Sequence, residues 1–162
     1  MNKDLQKAID TLLINDVYLK KSIAECFNEF DPKFYPGIDE LETRTKHIVK
    51  GHSVSEMDDS TWLVRVFIEL GVLLLDSNAD PDINRKAIIE AEFVAEYHSR
   101  EKPEESSVKE YALKNVSYHV WPYWREFLMN QSCRMHLPRF ILPAVQFAQN
   151  NKVSKNKKTK KQ

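Results

Sequence analysis

The chain has 162 residues, of which 42% are hydrophobic and 30% are charged, and this predicts a single domain with an ordinary core. Its three glycines stand far apart, which excludes a glycine-rich phosphate-binding loop and nucleotide chemistry of the Rossmann or P-loop kind. No stretch approaches the ~18 apolar residues that cross a bilayer, no signal sequence is recognisable, and two cysteines are too few for a disulfide framework, so we expect a cytoplasmic protein without membrane insertion.

The formal net charge is zero, but the charges are unevenly distributed. Residues 150–162 carry six lysines and no acidic side chain, which leaves residues 1–149 with 18 basic and 24 acidic side chains. We therefore expect residues 1–149 to form one domain and residues 150–162 to form a basic, disordered tail.

The first half of the chain is predicted to contain a short helix, an ambiguous segment and a polar strand. Leu5–Ile14 has helical spacing, with five apolar residues on one face: Leu5, Ala8, Ile9, Leu12 and Leu13. The next segment, DVYLKKSIAECF, is compatible with a strand or a helix, and FDPKFYPGIDE has the prolines and the glycine of a loop. Leu41–Val54 is polar and rich in β-branched residues, which favours a strand exposed on one side.

Two later segments alternate in polarity and are predicted to be strands. In WLVRVFIELGVLLL, residues 62–75, every even-numbered residue is apolar, so one face should be fully buried. AIIEAEFVAEYH, residues 87–98, has the composition of a helix but alternates strictly, and we give the alternation precedence. Its polar side resembles an acidic active site, although solvated side chains are the expected interpretation: Glu90, Glu92 and Glu96.

A long helix is predicted after the strands. Ser107 and Glu110 fit a capping box, so the helix should run from Val108 to Arg134. Pro122 lacks an N–H group and should kink or divide it. Four apolar residues form one stripe: Val116, Val120, Trp124 and Phe127. Because three aromatic residues lie off this stripe, we expect another subunit to cover them: Tyr111, Tyr118 and Trp121.

This order of elements indicates an α+β fold, with helices on one face of an antiparallel sheet. The stretch VWPYWREFLMNQSCRMHLPRFILPAVQF, residues 120–147, holds two of the three tryptophans and three of the seven prolines. It resembles a motif of the SecB family of bacterial export chaperones, and the resemblance extends over Val17–Phe147. The residues that match the motif are Pro122, Tyr123, Arg125, Glu126, Pro138, Phe140, Leu142, Pro143 and Phe147.

The resemblance implies a four-stranded antiparallel sheet with the long helix packed on one face. It also implies a homotetramer, built as a dimer of dimers through that helix. Members of the family bind non-native polypeptides without ATP or another cofactor, in apolar grooves between the helix and the proline-rich segment that follows it. Some relatives serve one antitoxin in a toxin–antitoxin–chaperone system, and several of these act in stress response or phage defence.

Two departures from the family pattern bear on function. Met135 replaces a glycine, so the turn after the helix must be built differently. The family typically ends in an acidic segment that contacts the translocation motor SecA, whereas this chain ends in lysines. The lysines argue against a SecA contact and favour a role dedicated to an antitoxin over general protein export.

A groove of this kind takes its client by burial of apolar surface. The residues expected to line it are Phe127, Met135, Leu137, Phe140, Ile141, Leu142, Trp62 and Phe67. Each also fits an ordinary core position, which is favoured for Trp62, whereas function is favoured for Phe67, Phe140 and Ile141. Acidic residues around the rim are expected to favour basic clients.

An enzyme is the first alternative function. Cys133 and His136 are three residues apart, but no acidic residue is evident to orient such a pair, so Cys133 is expected to pack within the helix. His47 and His52 would point to opposite faces of a strand, and a tetrahedral metal site needs three or four ligands. We therefore expect neither catalysis nor a bound metal.

Nucleic-acid binding is the second alternative, and it depends on the lysine tail. Such a tail would neutralise phosphates without reading sequence. The acidic body opposes this function, and a solvated tail is the simpler interpretation.

Overall fold

The computed structural model describes residues 2–142, which form a four-stranded antiparallel sheet with helices on one face. The elements are α1 (Lys3–Thr11), β1 (Leu13–Cys26), a short 3-10 helix (Ile38–Glu40), β2 (Glu42–Glu56), β3 (Trp62–Leu75), β4 (Arg85–Ser99), α2 (Glu105–Lys114) and α3 (Val116–Arg134). The strand order is β1-β4-β3-β2, so β1 and β2 are the edges. Pro143, Phe147, the predicted boundary after residue 149 and the lysine tail lie outside the described residues.

The two central strands confirm the predictions from alternation. Even-numbered residues of β3 face the helices, and Val64, Val66 and Ile68 are fully buried there. Ile68 lies opposite Phe93 of β4, so the two strands bury matching faces. Each such side chain contributes about 1.5–3 kcal/mol by its burial. In β4 the alternation prevails over helical composition because this strand is hydrogen-bonded to neighbours on both sides, β1 and β3.

The N-terminal helix is shorter than predicted, and the ambiguous segment is a strand. The Asn2 side chain caps α1 by accepting a hydrogen bond from the Asp4 N–H at 3.1 Å. The helix ends at Thr11, because Leu13 already pairs with His98 of β4. The segment that follows is the edge strand β1, and β2 confirms the polar strand predicted over Leu41–Val54.

The capping box predicted for the long helix does not form. The helix begins earlier, at Glu105, and the Glu104 carbonyl already accepts from the Val108 N–H at 3.0 Å. Ser107 Oγ is buried without a hydrogen-bond partner among residues 2–142, and Glu110 pairs with Lys114 instead.

The predicted single helix is also divided, at Asn115 rather than at Pro122. The Asn115 N–H donates to the Tyr111 carbonyl at 2.8 Å and ends α2, while α3 runs through Pro122 without interruption. Asparagine favours a helix end because its side chain competes with helical backbone bonds. Pro122 removes the donor that the Tyr118 carbonyl would receive, but this loss does not end the helix. No helix among residues 2–142 is long and apolar enough to cross a membrane.

Candidate binding groove

One stripe of α3 lines an open groove. Its members recur at helical spacing: Arg125, Leu128, Met129, Ser132 and Cys133. The opposite wall is the segment that follows α3, residues 135–142, called here the crossing segment. Two cavities of about 310 and 300 Å³ lie between these walls and share Leu128, Met129, Arg139 and Phe140 as lining residues.

The turn that joins the two walls contains no glycine. His136 takes a left-handed conformation with φ of 54°. Its N–H donates to the Cys133 carbonyl at 3.3 Å, and the Leu137 N–H donates to the Ser132 carbonyl at 3.0 Å. These two bonds make a Schellman motif, which normally has glycine at the left-handed position. The motif reverses the chain and brings the crossing segment back along α3.

Four of the eight predicted groove residues line these cavities. Leu137 and Phe140 line the cavity nearer the turn, and Phe140, Ile141 and Leu142 line the other. Leu137 is 9% exposed and serves as floor, whereas Ile141 is 91% exposed. The crossing segment therefore combines a buried anchor with an exposed apolar side chain.

Phe127 and Met135 pack against the core instead of lining the groove. The Phe127 ring stacks on Trp124 with centroids 6.2 Å apart and meets Phe93 edge-on at 6.3 Å. Both residues lie beside the groove in sequence, but neither lines either cavity.

Trp62 and Phe67 lie on the sheet, outside both cavities. The Phe67 side chain is on the face opposite the helices, where the Lys20 ammonium lies 4.8 Å from its ring centroid. Trp62 lies opposite Ser99, at the end of β3, with Lys102 5.4 Å from its ring. The period of two that buries the even-numbered residues of β3 necessarily directs Phe67 away from α3.

Two of the three predicted oligomer-interface residues are buried within the single chain. Tyr111 is 3% exposed and meets the Tyr97 ring edge-on at 5.2 Å, and Trp121 is 9% exposed. The chain itself therefore covers these two aromatic residues. Tyr118, at 39% exposed, is the one of the three whose side chain is accessible to a partner.

The glutamates of β4 are paired with basic residues rather than solvated. Glu92 is 7% exposed and accepts from Lys50 at 3.1 Å and from Lys20 at 3.3 Å. Both lysines occupy irregular positions of the edge strands, where the register shifts. Burial raises the pKa of Glu92, but the hydrogen bonds from the two lysines outweigh it, and the net pKa is lowered. Lys46 pairs with Glu90 at 2.7 Å.

The outer face of the sheet, which carries these pairs and Phe67, therefore neutralises its own charges. Arg65 completes the set by pairing with Glu96 at 3.3 Å. The three glutamates that suggested an acidic active site have basic partners, and this arrangement does not resemble paired catalytic carboxylates.

His47 and His52 share a face of β2, contrary to the prediction. The register shift after Val49 places them opposite Leu70 and Val66, which both face the helices. His47 shares a 2.7 Å hydrogen bond with Ser117, and burial lowers its pKa. No group of three or more histidine, cysteine and acidic side chains suited to a metal occurs among residues 2–142.

The prediction from sequence did not include the α3 wall of the groove or the charged residues that line it. The helical spacing of Leu128 and Met129 with Ser132 and Cys133 is a usable signal, but the more conspicuous apolar stripe of α3 is the one that packs on the sheet. The charged residues that line the cavities, among those described, are Arg125 and Arg139. No acidic residue lines these cavities among residues 2–142, and the expectation of acidic residues around the rim stays a prediction.

No family model matches the sequence, and no curated protein matches it significantly. Among solved structures, the chain is similar to the SecB-like chaperone of Mycobacterium tuberculosis in complex with a ChAD peptide from the HigA1 antitoxin. The TM-score is 0.67 at 17% sequence identity, and the match covers 89% of this chain and 94% of the other. At this identity the likeness concerns the fold, and it confirms that the chain has the SecB-like fold.

Proposed function

We propose that this protein is an ATP-independent cytoplasmic chaperone that holds a non-native polypeptide segment in the groove along α3, without catalysis or a cofactor. The observation that carries the proposal is an apolar groove, open to solvent, on a SecB-like fold. Met129 is 53% exposed at one wall, opposite the exposed Ile141. Burying about 400 Å² of apolar surface would contribute a gross ~10 kcal/mol, before ordering costs remove much of it.

The proposal extends to a dedicated client, an antitoxin of a toxin–antitoxin system acting in stress response or phage defence. One observation supports this role over general export: the structurally similar mycobacterial protein was solved with an antitoxin peptide. General export remains the alternative function.

Affinity isolation of the tagged protein from its native cells, followed by mass spectrometry, tests the proposal. The groove variant is Met129→Glu, which places a charge among apolar lining residues without disturbing a buried position. The matched control is Tyr123→Glu, also on α3, exposed to a similar extent (48%) and outside both cavities.

We expect one small antitoxin-like polypeptide in near-stoichiometric amount with the wild type and with Tyr123→Glu, and its loss with Met129→Glu. A broad set of secretory precursors together with SecA would support export instead. If no polypeptide accompanies the wild-type protein, the chaperone function is refuted.

We also propose that the chain forms a homo-oligomer, a dimer of dimers. The edge strand β1 exposes apolar side chains, with Leu13 65% and Leu19 43% exposed, and an edge strand presents unpaired backbone groups to a second chain. Light scattering after size exclusion should give four times the chain mass of 19.0 kDa. Leu19→Lys on β1 and Tyr118→Lys on α3 should each reduce this mass; a monomeric wild type would contradict the proposal.

A further inference from the structure

The charges that line the groove are of one sign. Arg125 on α3 and Arg139 on the crossing segment line the same cavity, and both side chains are exposed. Neither makes an ion pair or a side-chain hydrogen bond within residues 2–142. The lining residues therefore present two guanidinium groups and no carboxylate.

The carboxylates closest in sequence do not compensate these arginines. Glu126 follows Arg125 directly, but it lies outside both cavities, and its side chain accepts from Asn130 at 3.3 Å. On the outer face of the sheet, by contrast, Arg65 is paired with Glu96. The arginines of the groove are thus available to a ligand, and a guanidinium group binds a carboxylate with two parallel hydrogen bonds.

We propose that the groove selects apolar segments that are flanked by acidic residues. The inference rests on the proposed chaperone function and names the kind of client that the groove accepts. The apolar side chains enter between α3 and the crossing segment, and the flanking carboxylates pair with Arg125 and Arg139. The acidic excess of residues 1–149 has no counterpart among the groove's lining residues and does not decide the client.

Three fluorescent peptides test this selection. They share one apolar core, and the core is flanked on both sides by two glutamates in the first peptide, two glutamines in the second and two lysines in the third. Anisotropy with the full chain should rank the peptides glutamate, glutamine, lysine from tightest to weakest. The difference should shrink as salt screens the charges. In Arg125→Gln/Arg139→Gln the glutamate peptide should lose about three- to tenfold in affinity, since exposed ion pairs are individually weak, whereas the glutamine peptide should bind as before.

The matched control is Lys3→Gln/Arg100→Gln. It removes two positive charges that are also exposed but lie outside both cavities. It should preserve the preference for the glutamate peptide, and so should a chain shortened after residue 149, which lacks the six lysines, at the same low ionic strength. Equal binding of the glutamate and lysine peptides would overturn the inference and leave the chaperone function standing. Failure of all three peptides to bind would overturn both.

A competing occupant of the groove is the chain's own segment 143–148, which is mostly apolar and directly continues the crossing segment. If this segment fills the groove, deleting residues 143–162 should tighten all three peptides equally. That outcome, with no dependence on Arg125 or Arg139, would count against charge selection.

Discussion

The groove and the outer face of the sheet both carry aromatic and charged side chains, but they use them differently. On the outer face, Lys20 covers the Phe67 ring and also pairs with Glu92. In the groove, Ile141 stays exposed, and Arg139 makes no ion pair within residues 2–142. A surface whose charges are paired and whose apolar groups are covered within the chain offers little binding free energy to a partner. Composition alone does not distinguish these surfaces, whereas pairing does.

The largest effect on stability is expected from a double substitution that removes ion pairs from the outer face of the sheet. Lys20→Ala/Lys50→Ala leaves Glu92 nearly buried without its two cationic partners. The free energy of unfolding should fall by about 1–3 kcal/mol, less than for a fully buried pair because both lysines are half exposed. Urea denaturation measures this change. Lys21→Ala is the control on the same strand, and client binding should be unaffected by any of these substitutions.

A second substitution pair separates the two surfaces by binding. Phe140→Ala removes a groove wall and should weaken an apolar peptide about tenfold, the usual cost of truncating a central aromatic contact. Phe67→Ala should leave affinity unchanged, because Phe67 faces away from α3. Anisotropy with one labelled peptide provides both values. Equal losses for the two variants would show that clients also bind the outer face.

The free energy of unfolding is expected to depend on pH through two partly buried histidines. Burial lowers the pKa values of His47 and His119, so the folded state favours their neutral forms. Stability should be complete above the unfolded pKa of about 6.5 and should decline as the pH falls below it. Denaturation midpoints between pH 7.5 and 5 measure this slope.

The variant His47→Gln/His119→Asn, whose amides replace the ring nitrogens that bond Ser117 and Tyr97, should flatten the slope. His136→Gln is the control outside this cluster. An unchanged slope in the double variant would assign the pH dependence to other groups.

The smallest effect on stability is expected from a single exposed ion pair of the outer face. Arg65 pairs with Glu96 at 3.3 Å, but its side chain is 45% exposed. Arg65→Ala should cost only about 0.5 kcal/mol, because exposed pairs gain little. A loss as large as that of the double lysine variant would mean that the whole face acts as one network.

The sheet could be predicted from the sequence because period-two alternation over β3 and β4 reports burial directly. The division of the helix could not, because Pro122 is the conspicuous helix breaker and Asn115 looks ordinary outside its context. Likewise, the register shift after Val49 reversed the prediction for His52. A single irregular residue in a strand leaves no mark in composition, yet it changes the face of every residue beyond it.

Four of the ten residues that line the two cavities could be predicted from the sequence: Leu137, Phe140, Ile141 and Leu142. The sign of the charges that line the cavities could not be predicted. A net charge of a domain averages over its whole surface, whereas a ligand meets only the few side chains that line one cleft. The two arginines become informative only once the Schellman turn has placed the crossing segment beside α3.

The strand order has a consequence for the synthesis of the protein. β2, β3 and β4 pair with their neighbours in the chain and can form as successive hairpins while the polypeptide leaves the ribosome. β1 pairs only with β4, where Leu13 lies opposite His98, so the first strand to be made waits for the last. During that interval its apolar side chains lack their partner, and the nascent form of this proposed chaperone is itself a polypeptide that would benefit from one.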